Sequence, residues 1–372
     1  MNTPMLYVRM VLFLSVVLSI IFGGHILIYA TIKRFLPMIQ PLMLKGLGLA
    51  FVILPLLFIA ASLIGSRFNN LFSRIIYTSS AVWLGFAYFF FAASLLVWLI
   101  YGIARAASLS VDMQWVTGVL FVVAIGIGIY GLINANDTRV TKVTVTIPSL
   151  PEQWHGKKAV WVSDVHLGQI YGPSFAQKLA LMIKDQHPDV IFIGGDLFDG
   201  SAIDADTAIK PLAQLAAPQG VYFITGNHEE FTPEQKFTDV VRRSGIRVLN
   251  NESVVRDGLR ILGVDYQDSE EPDIYMKTLE GLDRTYPTIL LKHAPNNIEI
   301  TRKYPVDLQI SGHTHDGQLW PLGYISARVF HGFDKGLNHV DGLQVYTSTG
   351  AGTWGPPLRV GTTPEIAVIT LQ

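Results

Sequence analysis

The sequence contains no cysteine among its 372 residues. Disulfide bonds, thiolate nucleophiles and cysteine-ligated zinc sites are therefore excluded. Charged residues are also scarce, at 15% of the chain, whereas about 25% is typical of soluble domains. The 28 basic and 29 acidic residues nearly cancel, which argues against a non-specific nucleic-acid binder. Hydrophobic residues make up 50% of the chain, a share that excludes a disordered protein and indicates insertion into a membrane.

Acidic residues are nearly missing from the front of the chain. Only Asp112 lies before position 137, together with seven of the 28 basic residues. Uncharged stretches fill this part, and four of them reach the ~20 residues with which a helix crosses a bilayer. We therefore predict a transmembrane region over residues 1–136, a second domain over residues 137–372, and membrane helices at about 11–30, 46–65, 78–101 and 115–133.

An even number of spans places the N-terminus and the second domain on the same side of the membrane. Five basic residues lie on that side: Arg9, Arg67, Arg74, Arg139 and Lys142. The other side has four. The positive-inside rule then favours, by one residue, a multi-pass protein of the cell membrane with a cytoplasmic second domain.

His25 is the only ionisable residue within a predicted span. An intramembrane polar group is a candidate for function. A lone neutral histidine is nevertheless better explained by packing with one hydrogen bond, and so apolar a region gives little support to a transporter or channel.

The second domain alternates apolar runs with helix-like segments. After a half-exposed strand at Val143–Ile147, runs typical of buried strands occur at 159–162, 190–194, 221–225, 259–264, 288–291, 308–310, 343–347 and 366–370. Helical segments at 174–186 and 207–216 separate the early runs, and shorter connections separate the later ones. This order predicts an α/β domain with two sheets covered by helices.

Polar motifs follow five of these runs directly. They are Asp164-Val-His166, Gly195-Asp196-Leu-Phe-Asp199, Gly226-Asn227-His228-Glu229, Lys292-His293 and Gly312-His313-Thr-His315. Each motif alone also fits a turn or a helix cap. Together they contain five of the ten histidines, at the strand ends where open α/β sheets bind ligands.

These motifs offer carboxylate, amide and imidazole ligands without a thiolate. Such ligands suit manganese, iron or zinc rather than calcium or copper(I). Seven or eight ligands exceed one tetrahedral site and fit two divalent ions that share a carboxylate. Two such ions, ~3.5 to 4 Å apart, can hold a hydroxide and stabilise both ends of a displacement at phosphorus.

In order and spacing, the motifs resemble those of the calcineurin-like metallophosphoesterases, from about Lys157 to the C-terminus. The apolar front region and the closing Gly350-Ala-Gly-Thr-Trp-Gly-Pro-Pro further resemble the transmembrane proteins with a metallophosphoesterase domain. The resemblance implies a four-layer αββα sandwich. It also implies hydrolysis of a phosphomonoester or phosphodiester by a hydroxide that two metals activate.

The resemblance assigns a role to each motif residue. The ligands of the first metal would be Asp164, His166 and His315, with Asp196 as the bridge. The ligands of the second metal would be Asn227, His293 and His313. His228 would be the catalytic residue that stabilises the transition state or protonates the leaving oxygen. Asp199 and Glu229 would orient their neighbours, and Glu229 stands where many relatives have Asp, which affects how His228 is oriented.

The sequence defines the substrate less sharply. No long basic run indicates a nucleic acid, and the short membrane tether favours a lipid-associated phosphoester. A soluble nucleotide and a lipid-precursor pyrophosphate, as in the related UDP-diacylglucosamine hydrolases, stay open. The stretch Gln318–Ile325 is either an apolar lip for an acyl or prenyl chain or a hairpin packed on the domain's core. Lys292 and Arg359 could either bind a phosphate or have a role at the surface.

A membrane scaffold or sensor with a structural metal site is the alternative from another class. That hypothesis predicts a missing ligand or the loss of His228. All of the motif positions are filled, which favours the enzyme. The sequence does not define an oligomeric state.

Overall fold

The structure is a computed structural model, and it describes residues 3–230 and 235–372. The chain divides into two compact units, one with Met1–Ile64 and Leu71–Leu132, the other with Gly65–Asn70 and Ile133–Gln372. The first unit is helical. Within the described residues, four helices are long and apolar enough to cross a bilayer: α1 (Thr3–Phe35), α2 (Pro41–Gly65), α3 (Leu71–Ala106) and α4 (Met113–Ala135).

These helices extend past the uncharged stretches that predict them. Helix α3 includes Arg74 near its start and Arg105 in its last turn, and α1 includes Lys33 and Arg34 in its last turn. In a helix that crosses a bilayer, the ends reach the head-group region, where a long basic side chain can contact water. The apolar pattern therefore predicts the middle of each helix and misses its ends.

His25 in α1 is buried within the first unit, and both of its ring nitrogens have partners. The Trp83 indole N–H donates to Nε2 at 3.0 Å, and Nδ1 lies 2.8 Å from the carbonyl oxygen of Ile21. Because an indole can only donate, Nε2 accepts and Nδ1 carries the proton. Both nitrogens of the neutral ring thus form a hydrogen bond, whereas the sequence analysis predicts a single one.

Two sheets form the centre of the second unit. In the part of the chain that the structure describes, each sheet has six strands. The first sheet has the order β1 (Arg139–Val145), β12 (Glu365–Leu371), β2 (Lys158–Val162), β3 (Val190–Ile193), β4 (Val221–Phe223) and β5 (Arg247–Val248). The second has the order β10 (Gly336–Val340), β11 (Leu343–Thr347), β9 (Leu308–Ser311), β8 (Thr288–Leu291), β7 (Leu259–Gly263) and β6 (Glu252–Arg256).

Three apolar clusters hold the layers together. The side chains of Trp161, Phe192 and Ile310 belong to a cluster between the two sheets. A second cluster packs the outer face of the first sheet against helices, and a third does the same for the second sheet. The helices are α5 (Pro173–Lys184), α6 (Ala205–Ile209), α7 (Asn227–Glu230), α8 (Gln235–Arg243), α9 (Tyr266–Glu270), α10 (Pro272–Leu279), α11 (Ile298–Thr301) and α12 (Gly323–Val329). The predicted four-layer αββα sandwich is confirmed.

Two local predictions differ from the structure. The predicted helix at 207–216 is interrupted: α6 ends at Ile209 and a short 3₁₀ turn covers Leu212–Gln214. Pro211 between them lacks the N–H that a continuing helix requires. Strands β5, β6 and β10 lacked a sufficient apolar signal, because β5 has two residues and most residues of β6 and β10 are at least partly exposed.

Candidate metal centre

The candidate site lies where strands of both sheets end. Strands β2, β3 and β4 run parallel in the first sheet, as do β8 and β9 in the second. Each is followed within a few residues by one of the five motifs, which begin at Asp164, Asp196, Asn227, His293 and His313. Each buried run ends just before its motif, so the side chains that follow the strands are brought to one edge.

Three overlapping groups of side chains could each hold a metal ion. Within each group, the ligand atoms all lie within 4.8 Å of one another. The groups are Asp164–His166–His315, His166–Asp196–His228 and Asp196–His293–His313. The first group contains the three ligands that the resemblance implies for the first metal, and the third contains two of those implied for the second, His293 and His313, together with Asp196. The middle group shows that His228 lies within reach of the same centre, so its role as a non-ligand stays a prediction.

The carboxylates of Asp164 and Asp196 are almost completely buried. Asp164 accepts the backbone N–H of His313 at 3.0 Å and the Ser163 hydroxyl at 2.5 Å. Asp196 accepts the backbone N–H of His228 at 2.8 Å. Burial raises the pKa of Asp164. Burial acts in the same direction on Asp196, but the neighbouring histidines, His293 first, hold the pKa of Asp196 well below its usual range.

The backbone at these ligands is unusual. Five candidate ligands have φ angles between 50° and 71°, in the left-handed region: Asp164, His166, Asp196, His313 and His315. Residues with a side chain adopt this region at a cost of order 1–3 kcal/mol each, and such residues cluster at functional sites. The surrounding fold therefore imposes these conformations.

The imidazole rings divide into neutral and charged ones. Burial lowers the pKa of His166 to about 4 and that of His313 to about 3, so both rings are neutral at neutral pH. Burial also acts to lower the pKa of His293, but the charge of Asp196 outweighs it and raises that pKa to about 10. His293 Nε2 lies 3.3 Å from an Asp196 oxygen. The carboxylates thus hold a proton on His293 that a bound dication would displace.

The residues present fit a metal ion. The His293 Nδ1–H donates to the carbonyl oxygen of Gly194 at 2.7 Å, which aims Nε2 at the carboxylates. The buried Oδ1 of Asn227 has no hydrogen-bond partner among the described residues. A buried amide oxygen without a donor is rare in folded proteins. Asn227 lines a common cavity with His166 and Asp196, so a cation there would satisfy this oxygen.

Asp199 and Glu229 have separate tasks. Asp199 Oδ1 lies 3.0 Å from Nδ1 of His228. The carboxylate of Glu229 accepts four backbone N–H groups, those of Asp196, Leu197, Phe198 and Gly226, at 2.8 to 3.2 Å. Glu229 therefore joins the loops after β3 and β4, while Asp199 contacts the His228 ring.

Arg359 and Lys292 are fully buried, so the prediction of a surface role for them is wrong. The Lys292 ammonium donates to the carbonyl oxygen of Ala294 at 2.9 Å and to the side chain of Asn296. The protein itself thus uses two of the three N–H donors of Lys292, and burial lowers the pKa of Lys292 to about 7.

The guanidinium of Arg359 contacts a candidate ligand, a link that the sequence did not predict. It donates to Nδ1 of His315 at 2.9 Å and to the backbone oxygen of His315 at 3.0 Å. Since a guanidinium can only donate, Nδ1 accepts and the neutral ring carries its proton on Nε2. A cation at Nε2 would have to displace that proton. Asn134, at the end of α4, donates in turn to the carbonyl oxygen of Arg359 at 3.0 Å.

The chain is similar to known phosphoesterases. A family model for the Calcineurin-like phosphoesterase matches residues 157–317. The "Transmembrane protein with metallophosphoesterase domain" of Danio rerio is 33% identical and that of Bos taurus 34%, each over 66% of this chain and 60% of the relative. An "Uncharacterized metallophosphoesterase" of Aquifex aeolicus (strain VF5) is 32% identical over 67% of this chain and 98% of the relative.

These similarities confirm the family resemblance that the motifs predict. The chain covers about 60% of the length of the two vertebrate relatives and nearly all of the bacterial one. The shared part includes all the motifs up to His315, because the family model ends at residue 317.

The contact between Asp199 and His228 generates a first prediction. Burial acts to lower the pKa of His228, but the hydrogen bond that its ring donates to Asp199 and the charges of nearby carboxylates raise it overall. We expect Asp199→Asn to lower the pKa of His228, measured by NMR titration of the histidine ring protons in metal-free protein. Asp206→Asn, which removes an exposed carboxylate, is the matched control and should leave this pKa unchanged. An unchanged value in Asp199→Asn would show that another group sets the charge of the ring.

The contact between Arg359 and His315 generates a second prediction. Lysine keeps the positive charge but cannot reach His315 and the carbonyl oxygens of Gly350 and Gly352 together. We expect Arg359→Lys to strengthen metal binding about 10-fold, because without the guanidinium donor Nδ1 of His315 can carry the ring proton and leave Nε2 free for the cation. Calorimetric manganese titration measures this affinity, and circular dichroism checks the fold. Arg302→Lys, at a partly exposed ion pair, is the control. Equal affinity in the two variants would rule out a role for Arg359 at the ligand.

Proposed function

The chain belongs to the calcineurin-like metallophosphoesterase family, and on this basis we propose that it is a membrane-anchored hydrolase of phosphoester bonds. The observation that carries the proposal is the convergence of two carboxylates, an amide and four imidazoles at the strand ends of both sheets. These donors fit two divalent ions, manganese, iron or zinc, that share Asp196. When bound, such ions supply Lewis-acid catalysis and the hydroxide that attacks phosphorus.

The roles of the individual residues follow from their surroundings. Asp164, His166 and His315 would hold one ion, while Asn227, His293 and His313 would hold the other. His228 carries a raised pKa, is contacted by Asp199 at Nδ1 and lines the cavity beside the candidate ligands. A charged imidazole in this position can stabilise the transition state or protonate the leaving oxygen.

We further propose that the substrate is a phosphomonoester or phosphodiester associated with the membrane. Helix α4 ends at Ala135 and strand β1 begins at Arg139, so three residues connect the last membrane helix to the first sheet. A connection this short keeps the hydrolase domain, residues 137–372, near the lipid head groups. That location favours a substrate that is itself held in the bilayer over a soluble nucleotide.

The test of the activity uses the full chain in detergent, loaded in turn with manganese, iron or zinc. Paired aryl phosphomonoester and phosphodiester substrates report turnover. We expect metal-dependent hydrolysis, loss of bound metal and activity in Asp196→Asn, and about 10²- to 10⁴-fold lower turnover in His228→Ala with the metal retained. His339→Ala, at an exposed histidine of β10, is the matched control for His228→Ala.

The outcomes separate this proposal from the scaffold hypothesis. Stoichiometric metal binding with normal turnover in His228→Ala would remove the proposed role of His228. A protein that binds no metal would overturn the phosphoesterase and leave a membrane scaffold or sensor as the better account.

We also propose that the hydrolase domain is cytoplasmic. Loop Gly65–Asn70, which joins α2 to α3, belongs to the same compact unit as this domain, and Gln169 donates to its Gly65 and Phe68 carbonyl oxygens at 3.0 and 2.9 Å. Together with Arg9, the residues Arg67 in this loop, Arg74, Arg139 and Lys142 give this side five basic residues against four on the other, which favours the cytoplasmic side.

Protease protection tests the orientation. In inside-out vesicles, we expect added protease to digest the hydrolase domain, because the cytoplasmic face is exposed there. In intact spheroplasts the domain should survive until detergent is added. Digestion in intact spheroplasts would place the domain on the opposite face.

A further inference from the structure

A cavity of about 600 Å³ opens directly beside the candidate metal centre, a size typical of small-molecule sites. One side of it is polar and consists of motif residues, among them His166, Asn227 and His228. The other side is mostly apolar and is built by Leu319, Leu322, Ile325, Val329, Phe330 and Trp354. We call these six residues the apolar wall. A single cavity therefore contains both the proposed site of the phosphoryl group and an apolar surface, which does not favour a phosphate or a sugar.

The apolar wall is held in place before any ligand binds. It has two parts, the segment through α12 and the loop around Trp354, and the buried side chain of Gln318 connects them. Nε2 of Gln318 donates to the carbonyl oxygens of Trp354 and Pro356 at 2.9 and 3.0 Å, and Oε1 accepts the N–H of Trp354 at 2.9 Å. Three hydrogen bonds from one side chain fix the spacing of the two parts, which lowers the ordering cost of binding.

Two of the three polar side chains next to the apolar wall, those of Thr314 and Gln318, already form hydrogen bonds within the protein. The hydroxyl of Thr314 donates to the carbonyl oxygen of Asp334 at 2.6 Å, and the amide of Gln318 is used as described. The hydroxyl of Ser326 is buried and has no partner among the described residues. A nucleoside or sugar would need several free donors and acceptors at this side. The wall offers hardly any, so its chemistry selects a hydrocarbon.

The outer residues of the apolar wall are unusually exposed for apolar side chains. Ile325, Val329 and Trp354 are each about 60% accessible to solvent, and neighbouring Trp320 and Tyr324 are similarly exposed. Contiguous exposed apolar surface marks a binding site. Exposed tryptophan and tyrosine rings are the side chains that favour a membrane interface.

We propose that the apolar wall binds the hydrocarbon chain of a phosphoester whose phosphoryl group lies at the metal centre. The inference rests on the proposed phosphoesterase function and adds the chemical class of its substrate, an amphiphile with its chain attached near the phosphate. The exposed outer residues receive the chain from the bilayer, and the inner ones, Leu319 and Leu322, cover it. Each methylene buried there should raise affinity roughly fourfold.

The test measures binding and needs no turnover. The full chain in lipid nanodiscs, loaded with manganese, is titrated calorimetrically with methyl-, butyl- and octylphosphonate, which are not hydrolysed. We expect octylphosphonate to bind at least about 100-fold more tightly than methylphosphonate. Nanodiscs without protein give the background from partitioning into lipid.

Two variants test whether the dependence of affinity on alkyl chain length arises from the apolar wall. Val329→Asn and Ile325→Asn change exposed side chains, so neither should disturb folding, and each should reduce the octyl-to-methyl affinity ratio about tenfold or more. Leu181→Asn alters a comparably exposed leucine on α5, outside the cavity, and should keep the wild-type ratio.

The outcomes distinguish this inference from the function on which it rests. Metal-dependent binding of methylphosphonate with a ratio near one would overturn the chain site and leave the phosphoesterase standing. A high ratio that Val329→Asn and Ile325→Asn leave unchanged would also overturn it, because the chain would then bind elsewhere. If no phosphonate binds at any chain length, the proposed function fails, and the chain site fails with it.

Discussion

The carboxylates of Asp164 and Asp196 lie 3.9 and 3.3 Å from the same imidazole nitrogen, Nε2 of His293, and are almost completely removed from water. An unpaired charge in such a place costs several kcal/mol, so each carboxylate needs positive partners and N–H donors. Much of the surrounding structure meets that need. His293 supplies a positive charge, the backbone of His228 and His313 donates hydrogen bonds, and the left-handed backbone of the ligands places these groups. A bound dication would meet the same need more completely.

Local sequence patterns predicted the candidate ligands better than they predicted the contacts that hold those ligands in place. The motif residues were identifiable because a buried strand has a strong apolar signal and its end marks the edge where Asp164, Asp196 and His313 emerge. The four apolar helices were predictable for a similar reason, since a bilayer tolerates few charges over ~20 residues. Both features depend on residues that are close together in the sequence. The ends of α3 contain Arg74 and Arg105 and therefore lay outside the uncharged pattern, because a charged side chain is stable where it can reach water.

The contacts that hold the candidate ligands could not be predicted from the spacing of residues in the sequence, because they join distant parts of the chain. Arg359 contacts His315 across 44 residues, and Asn134 contacts the backbone of Arg359 across 225. A buried arginine in a Gly- and Pro-rich loop carries no local signal that separates it from an exposed one. Glu229 shows the same limit. Its proximity to His228 in the sequence favoured a contact with that ring, yet the four N–H donors of its carboxylate come from the turns after β3 and β4.

The segment from His313 to Phe330 connects metal binding with the proposed recognition of the chain. It begins with two candidate ligands and continues into Leu319, Leu322 and the residues of α12. The loop from Gly350 to Arg359 has the same double character, because Trp354 belongs to the apolar wall and Arg359 holds His315. Gln318 ties the segment to that loop. A change of the wall that shifts either part would therefore shift a metal ligand as well. Substrate selection and metal affinity would then vary together in such a variant.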